Sequence, residues 1–179
     1  MQEYEKVLIS REEIAARVAQ LAAELDRDYA GLDPLFVCIL KGSIYFFADL
    51  TKSLTIPAEL EFMSVSSYGG DTQTTGRVRM IKDIDRPIAG RHVIIVEDMV
   101  DSGTTLSYLK SLIESRNPAS VRICTLLDKP ERRVTPVEVS YCGFRVPNEF
   151  VVGYGLDYAE KYRTLPAIYV LRREVYEKN

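Results

Sequence analysis

The chain has no tryptophan, a single histidine and only three cysteines among its 179 residues. One histidine, His92, cannot build a His-rich metal centre, so zinc is not expected. Cys38, Cys124 and Cys142 show no C-x-x-C spacing, and the first two lie in apolar runs. That predicts buried, reduced thiols rather than a disulfide framework. No apolar run approaches the ~20 residues of a bilayer span. The segment Met1–Glu5 lacks the basic and apolar regions of a secretion signal, so a cytoplasmic protein with no membrane partner is expected. Positive charge is scarce too: 23 Lys and Arg face 26 Asp and Glu, a net charge of −3. A broad basic footprint for nucleic acid is therefore absent, whereas a small anion needs only a local basic cluster.

What is present is ordinary for a globular chain, with 46% hydrophobic and 27% charged residues. There is no repeat or low-complexity tract, and the length suits one domain with a sizeable core. Ser10-Arg11-Glu12-Glu13 has the form of a capping box. Ile14, Val18, Leu21 and Leu25 then recur at helical spacing, with Gly31 as the stop. Strands are predicted over Pro34–Leu40, Ala58–Val65, Arg77–Ile81, His92–Val96, Val121–Leu127, Val137–Tyr141, Phe150–Tyr154 and Ile168–Leu171. Helices are predicted over Ser43–Leu54 and Gly103–Arg116. Ser66–Thr75, rich in Ser, Gly, Thr and Asp, is predicted to be a mobile loop. Strands alternating with helices imply a mostly parallel sheet covered on both faces.

One segment carries most of the information: Val93-Ile94-Ile95-Val96-Glu97-Asp98-Met99-Val100-Asp101-Ser102-Gly103-Thr104-Thr105-Leu106. An apolar strand runs into carboxylates, then into a Ser/Gly/Thr turn, then into a helix. The turn aims N–H groups and hydroxyls at one spot, at the positive end of a helix dipole, which suits a phosphate. Glu97 and Asp98 would repel a phosphate; they suit a cation, sugar hydroxyls or a proton. Turn and N-cap chemistry alone would account for Asp-Ser-Gly-Thr. Carboxylates at the end of a buried strand, however, are costly without a partner. Phosphate, polyol and metal held side by side point to a phosphorylated sugar. Glu97, Asp98, Lys41 and Lys129 each follow a predicted strand, which gathers them at the rim where open sheets bind ligands.

The same segment resembles the phosphoribosyl-pyrophosphate (PRPP) signature of the type I phosphoribosyltransferases. Leu127-Asp128-Lys129-Pro130 and Phe150-Val151-Val152-Gly153-Tyr154-Gly155-Leu156-Asp157-Tyr158 resemble the purine-binding segments of the hypoxanthine-guanine members. The likeness runs from about Val7 to about Arg172. It implies the family's α/β fold: a mostly parallel, twisted sheet flanked by helices, with a small hood over the C-terminal strand ends. Residues 1–179 would form a single domain, the hood coming from the N-terminal residues and roughly 145–179.

The resemblance also implies roles. Asp101, Ser102, Gly103, Thr104 and Thr105 would hold the 5′-phosphate. Glu97 and Asp98 would handle the ribose hydroxyls and Mg²⁺, and Asp157 would be a further Mg²⁺ ligand. Lys41, Gly42 and Arg163 would meet pyrophosphate, with a non-proline cis bond at Lys41–Gly42 left open. Lys129 would donate to the purine 6-oxo group, favouring hypoxanthine and guanine over adenine, and with the nearby Arg132 and Arg133 it raises the local positive charge. Phe150 would stack on the base, the Val151 backbone would pair with its edge, and Asp157 would also belong to the purine site. Ser67 and Tyr68 would tip a loop that closes over the site and excludes water. Asp101 is the expected general acid/base for the purine N7 proton, with a plain N-cap role as the competing reading. The implied reaction is purine salvage: PRPP plus a 6-oxopurine gives IMP or GMP plus pyrophosphate. Homodimers or homotetramers are expected. A xanthine-preferring enzyme and a PRPP-binding regulator of RNA or DNA remain as alternatives.

Overall fold

The computed structural model describes residues 3–67 and 78–177. The chain opens with a strand, β1 (Tyr4–Ile9), and a helix, α1 (Arg11–Asp28). The capping box forms as its residues dictate. The Ser10 hydroxyl accepts from the Glu13 N–H at 3.2 Å, and the Glu13 carboxylate accepts from the Ser10 N–H at 2.7 Å. A cap of this kind is worth about 1 kcal/mol. The next pair is β2 (Leu35–Leu40) and α2 (Ile44–Ser53), followed by β3 (Glu59–Ser67) and β4 (Val78–Lys82). Then come β5 (His92–Val100), α3 (Thr104–Glu114), β6 (Ser120–Asp128) and β7 (Tyr141–Arg145). The chain ends with β8 (Val151–Val152), β9 (Ile168–Leu171) and a short turn of helix, α4 (Arg173–Tyr176).

Six strands form the main sheet in the order β4-β3-β2-β5-β6-β7. All neighbours run parallel except the β3–β4 pair. The continuous apolar runs follow from burial on both faces. Phe36, Cys38, Ile94, Val96 and Cys124 join Leu21 and Leu25 of α1 and Phe46 and Leu50 of α2 in one core. Their alternate neighbours Leu35, Val37, Ile39, Val93, Ile95 and Ile123 join Leu106, Leu109 and Ile113 of α3 in the other. Each such fully buried side chain contributes roughly 1.5–3 kcal/mol. A second, antiparallel sheet of order β1-β9-β8 ties the two ends of the chain together, with Tyr4 opposite Leu171 and Val151 opposite Val170.

Several expectations change. β5 continues to Val100 instead of stopping at Val96, yet its alternation slips at Glu97–Asp98: Val96 and Met99 pack on one core, Ile95 and Val100 on the other. The slip has a local cause. The N–H of Asp98 donates to the Glu97 carboxylate at 3.0 Å and that of Met99 to the Asp98 carboxylate at 2.7 Å. The strand expected over Val137–Tyr141 lies instead at Tyr141–Arg145. The Val-x-Val pattern of 137–139 packs as irregular chain on the α3 side, because the preceding N–H groups of Val134 and Thr135 bind the Ser102 carbonyl rather than a strand. The Phe150–Tyr154 strand shrinks to Val151–Val152, since Gly153, Tyr154 and Gly155 all take positive φ and turn the chain. The cis peptide bond is Leu40–Lys41, one residue before the bond left open. Tyr68, and residues 68–75 of the expected loop, lie outside the described residues, while Ser66 and Ser67 close β3. The strand β1, tucked against β9, had no counterpart in the sequence reading.

His92 is structural: its Nδ1 lies 2.8 Å from the Ser120 hydroxyl and its ring meets the edge of Tyr29. All three cysteines are free, and burial pushes the Cys38 thiol up to about 11. No helix of the described residues is long and apolar enough to cross a membrane.

Candidate active site

The anion loop is built first by the chain itself. β5 delivers Asp101, and Asp101–Gly103 turns into α3, whose N-cap is Gly103 in the left-handed region at φ 81°. Asp101 is therefore not the cap. A side chain at Gly103 would be strained at that φ and would overlap the Thr135 carbonyl. The segment after β6 clamps the loop from outside. The N–H groups of Val134 and Thr135 donate to the Ser102 carbonyl at 2.9 and 3.0 Å. The hydroxyls of Thr104 and Thr135 lie 3.0 Å apart, and Arg133 donates to the Asp101 carbonyl at 3.0 Å. Arg133 also pairs with Asp128. The loop bounds a small hollow of about 130 Å³ lined by Glu97, Asp101, Ser102, Gly103 and Thr105 among others.

A larger cleft of about 660 Å³ opens beside it, lined by Asp98, Asp101, Lys129, Arg132, Phe150, Val151, Leu156 and Asp157 among others. Asp101 borders both hollows. Its Oδ1 is paired with Arg132 Nε at 3.0 Å. Between the hollows sit Glu97 and Asp98. Burial, and then the adjacent Asp98, push the Glu97 carboxyl well above the usual carboxylate range. Burial raises Asp98 as well, against the opposing pull of Arg163 and local hydrogen bonds. Such a pair of acids is expensive unless a cation or a hydrogen-bonding ligand meets it.

Lys129 is only 6% exposed, and its ammonium donates to the Glu149 carbonyl at 2.6 Å. Burial pulls its pKa down, while the charge of Asp101 opposes that shift. A nearly buried ammonium whose one hydrogen-bond partner among the described residues is a neutral carbonyl could donate instead to a ligand oxygen. Phe150 presents an aromatic ring in the same cleft, and β8 brings Val151 beside it.

The third group forms where three turns converge. Gly42 abuts Asp98 so closely that a Cβ there would overlap the carboxylate, and Gly155 in turn presses on the Gly42 carbonyl. Lys41 Nζ meets Glu160 at 2.9 Å. Arg163 meets Asp157 at 3.0 Å and Glu160 at 3.3 Å, and donates to the Gly155 carbonyl at 2.7 Å. Among the described residues the buried Arg163 Nε has no hydrogen-bond partner. Asp157 also accepts from the Glu160 N–H at 2.8 Å.

The described site residues thus fall along one rim: the loop at Asp101–Thr105, the acids Glu97 and Asp98, the base-side set Lys129, Phe150 and Val151, and the basic set Lys41 and Arg163 with Asp157. Sequence reasoning missed Glu160, which links Lys41 to Arg163. It saw Arg132 only as local positive charge rather than the partner of Asp101, and gave no role to Thr135. Nothing in the residues around Glu160 or Thr135 announces them. Arg132 had the weak signal of lying three residues past a rim lysine.

Residues 8–159 match the model of the phosphoribosyl transferase domain. A hypoxanthine-guanine phosphoribosyltransferase of Streptococcus thermophilus is 50% identical over 173 residues, covering 97% of this chain and 96% of that protein. The Bacillus subtilis protein of the same name is 51% identical over 173 residues, again covering 97% and 96%. Among solved structures, a Staphylococcus aureus hypoxanthine phosphoribosyltransferase aligns with a TM-score of 0.95 at 45% identity, covering 98% of this chain and 96% of that one. A Trypanosoma cruzi hypoxanthine phosphoribosyltransferase in complex with the product IMP aligns with a TM-score of 0.91 at 44% identity, covering 98% of both chains.

Proposed function

The chain belongs to the phosphoribosyl transferase family, and on that premise we propose that it is a purine-salvage enzyme. It transfers the 5-phosphoribosyl group of PRPP to N9 of hypoxanthine or guanine, giving IMP or GMP and pyrophosphate. The observation that carries this reading is the placement of Asp101 on the wall shared by the anion loop and the Lys129–Phe150 cleft. A phosphoribosyl group anchored on one side and a flat base on the other would meet beside that carboxylate.

The chemistry follows from the residues. The loop Ser102–Thr105 binds the 5′-phosphate through N–H groups and hydroxyls at the start of α3. Lys129 exchanges the Glu149 carbonyl for the 6-oxo group of the base; the 6-amino group of adenine offers it no acceptor. Phe150 stacks on the base. As N9 bonds to the anomeric carbon, the bond from that carbon to pyrophosphate breaks, and the N7 proton passes to Asp101. Arg132 holds Asp101 Oδ1, which leaves Oδ2 to take the proton. Lys41 and Arg163 neutralise the departing pyrophosphate, Arg163 by planar hydrogen bonding.

Mg²⁺ suits this donor set, which is oxygen-only and carboxylate-rich. Mg²⁺ is commonly held by one or two carboxylates together with substrate oxygens. Glu97 and Asp98 would hold one ion beside the ribose, and Asp157 a further one. When bound it supplies charge neutralisation at the pyrophosphate. The three free thiols support a reducing compartment, the cytoplasm. A dimer or tetramer is part of the same proposal.

The test is a Mg²⁺-dependent assay with PRPP, offering hypoxanthine, guanine, xanthine and adenine in parallel. Turnover of the first two and little of adenine is the expected outcome. Turnover mainly of xanthine would move the base specificity and keep the chemistry. No turnover of any base would overturn the reading.

A further inference from the structure

We propose that Tyr176, in the turn that ends the described chain, is a positioning residue for the base: its ring braces Phe150 from the face opposite the one the purine uses. The proposal rests on the reading of Phe150 as the base's platform. The Phe150 and Tyr176 rings are stacked, with centroids 4.7 Å apart and planes 23° from parallel. Tyr158 stands perpendicular to Phe150 at 5.6 Å.

The backbone sets up this contact. The Leu171 N–H donates to the Phe150 carbonyl at 2.8 Å, which ties the end of β9 to the platform. The Val175 N–H donates to the Arg172 carbonyl at 3.0 Å and the Glu177 N–H to the Arg173 carbonyl at 2.7 Å, closing α4 back over the ring. Tyr176 then borders the same cleft as Lys129 and Asp101. A ring packed on one face before the ligand arrives loses less freedom when the ligand covers the other, so binding costs less. A stacked pair of this geometry is worth a factor of about two to twelve in an equilibrium constant.

Steady-state kinetics of the full chain with hypoxanthine and PRPP would test this, comparing wild type with Tyr176→Phe, Tyr176→Leu and Tyr176→Ala. Loss of the ring is expected to raise the KM for hypoxanthine about two- to twelvefold and to leave the KM for PRPP within about twofold. Tyr176→Phe is expected to behave as wild type. If the alanine variant does not fold, the leucine variant carries the same reading. An unchanged hypoxanthine KM would overturn the proposal, as would an equal rise in both constants. A fall in the hypoxanthine KM would make the ring a plug over the base site and would also overturn it. These outcomes presuppose a wild type that converts hypoxanthine. A wild type that converts none sinks the functional reading first, and this proposal with it.

Discussion

The two sides of the cleft are built by different means. On the phosphate side, one continuous stretch from Val93 to Leu106 supplies strand, acids, turn and helix. On the base side, Lys129 comes from the end of β6, Phe150 from the approach to β8, and Tyr176 from the turn after β9. The small sheet brings these together by pairing both ends of the chain. On the proposed reading, local geometry therefore decides how phosphate would be met, and long-range pairing how the base would be met. Asp101 sits where the two sides join. Changes on one side should disturb one substrate, and only the junction should disturb the chemistry while sparing both.

The largest effect is expected at that junction. Asp101→Asn keeps size and most hydrogen bonds but removes the proton acceptor, so kcat should fall about 10²- to 10⁴-fold with little change in either KM. Rapid-quench measurement of the chemical step would check this; a large rise in one KM instead would mean that Asp101 belongs to one side only.

Next comes Lys129→Gln on the base side. Losing a charge-assisted hydrogen bond should raise the hypoxanthine KM about 10- to 100-fold and leave PRPP nearly unaffected. The same lysine gives a pH dependence with a definite sign. Burial, above all, lowers its pKa below the ordinary lysine value of 10.5. The ammonium is thus lost at a lower pH than in an ordinary lysine, and the hypoxanthine KM should climb as pH rises towards 10.5. In Lys129→Arg that limb should shift to higher pH, which initial-rate profiles would reveal.

On the phosphate side, Gly103→Ala should cost about 1–3 kcal/mol of stability through backbone strain at positive φ, and more through overlap with the Thr135 carbonyl. PRPP affinity should fall with it, while the KM for the base changes least. Thermal melts and PRPP titration would separate the two contributions. A base KM that worsened as much as the PRPP KM would erase the contrast between the sides.

The smallest effect concerns Glu97. Its carboxyl pKa is raised in the folded protein by burial and by Asp98. The folded state therefore holds a proton that the unfolded chain releases above the ordinary value of 4.5. Stability from this group is full at low pH and is lost as pH rises through the raised pKa. Glu97→Gln should thus raise the melting midpoint of the ligand-free protein at pH 7, with a smaller gain at pH 4. An unchanged midpoint at pH 7 would mean that the acid is not a stored cost.

The legible parts of the molecule share one property. The capping box at Ser10–Glu13, the buried runs of β2 and β5 and the turn before α3 all depend on neighbours within a few residues. The misread parts depend on distant partners. Val137-Glu138-Val139 has a strand's alternation, but the N–H groups before it are spent on Ser102. Glu97 and Asp98 look like consecutive strand residues, yet their own carboxylates take the N–H groups that follow them and slip the pleat. Family resemblance named Lys129 and Asp157, but Lys129's resting partner, the Glu149 carbonyl, required the fold.

Periodicity and turn chemistry act over short spans, so the covered parallel sheet, the turn into α3 and the gathering of acids and lysines at one rim could be read from the residues. Packing across the fold was needed to show that Arg132 holds Asp101, that Glu160 links Lys41 to Arg163, and that Tyr176 lies on Phe150. Those contacts join residues far apart in the chain or at turns of no marked pattern, and the last of them depends on the small sheet, which brings the end of the chain to Phe150.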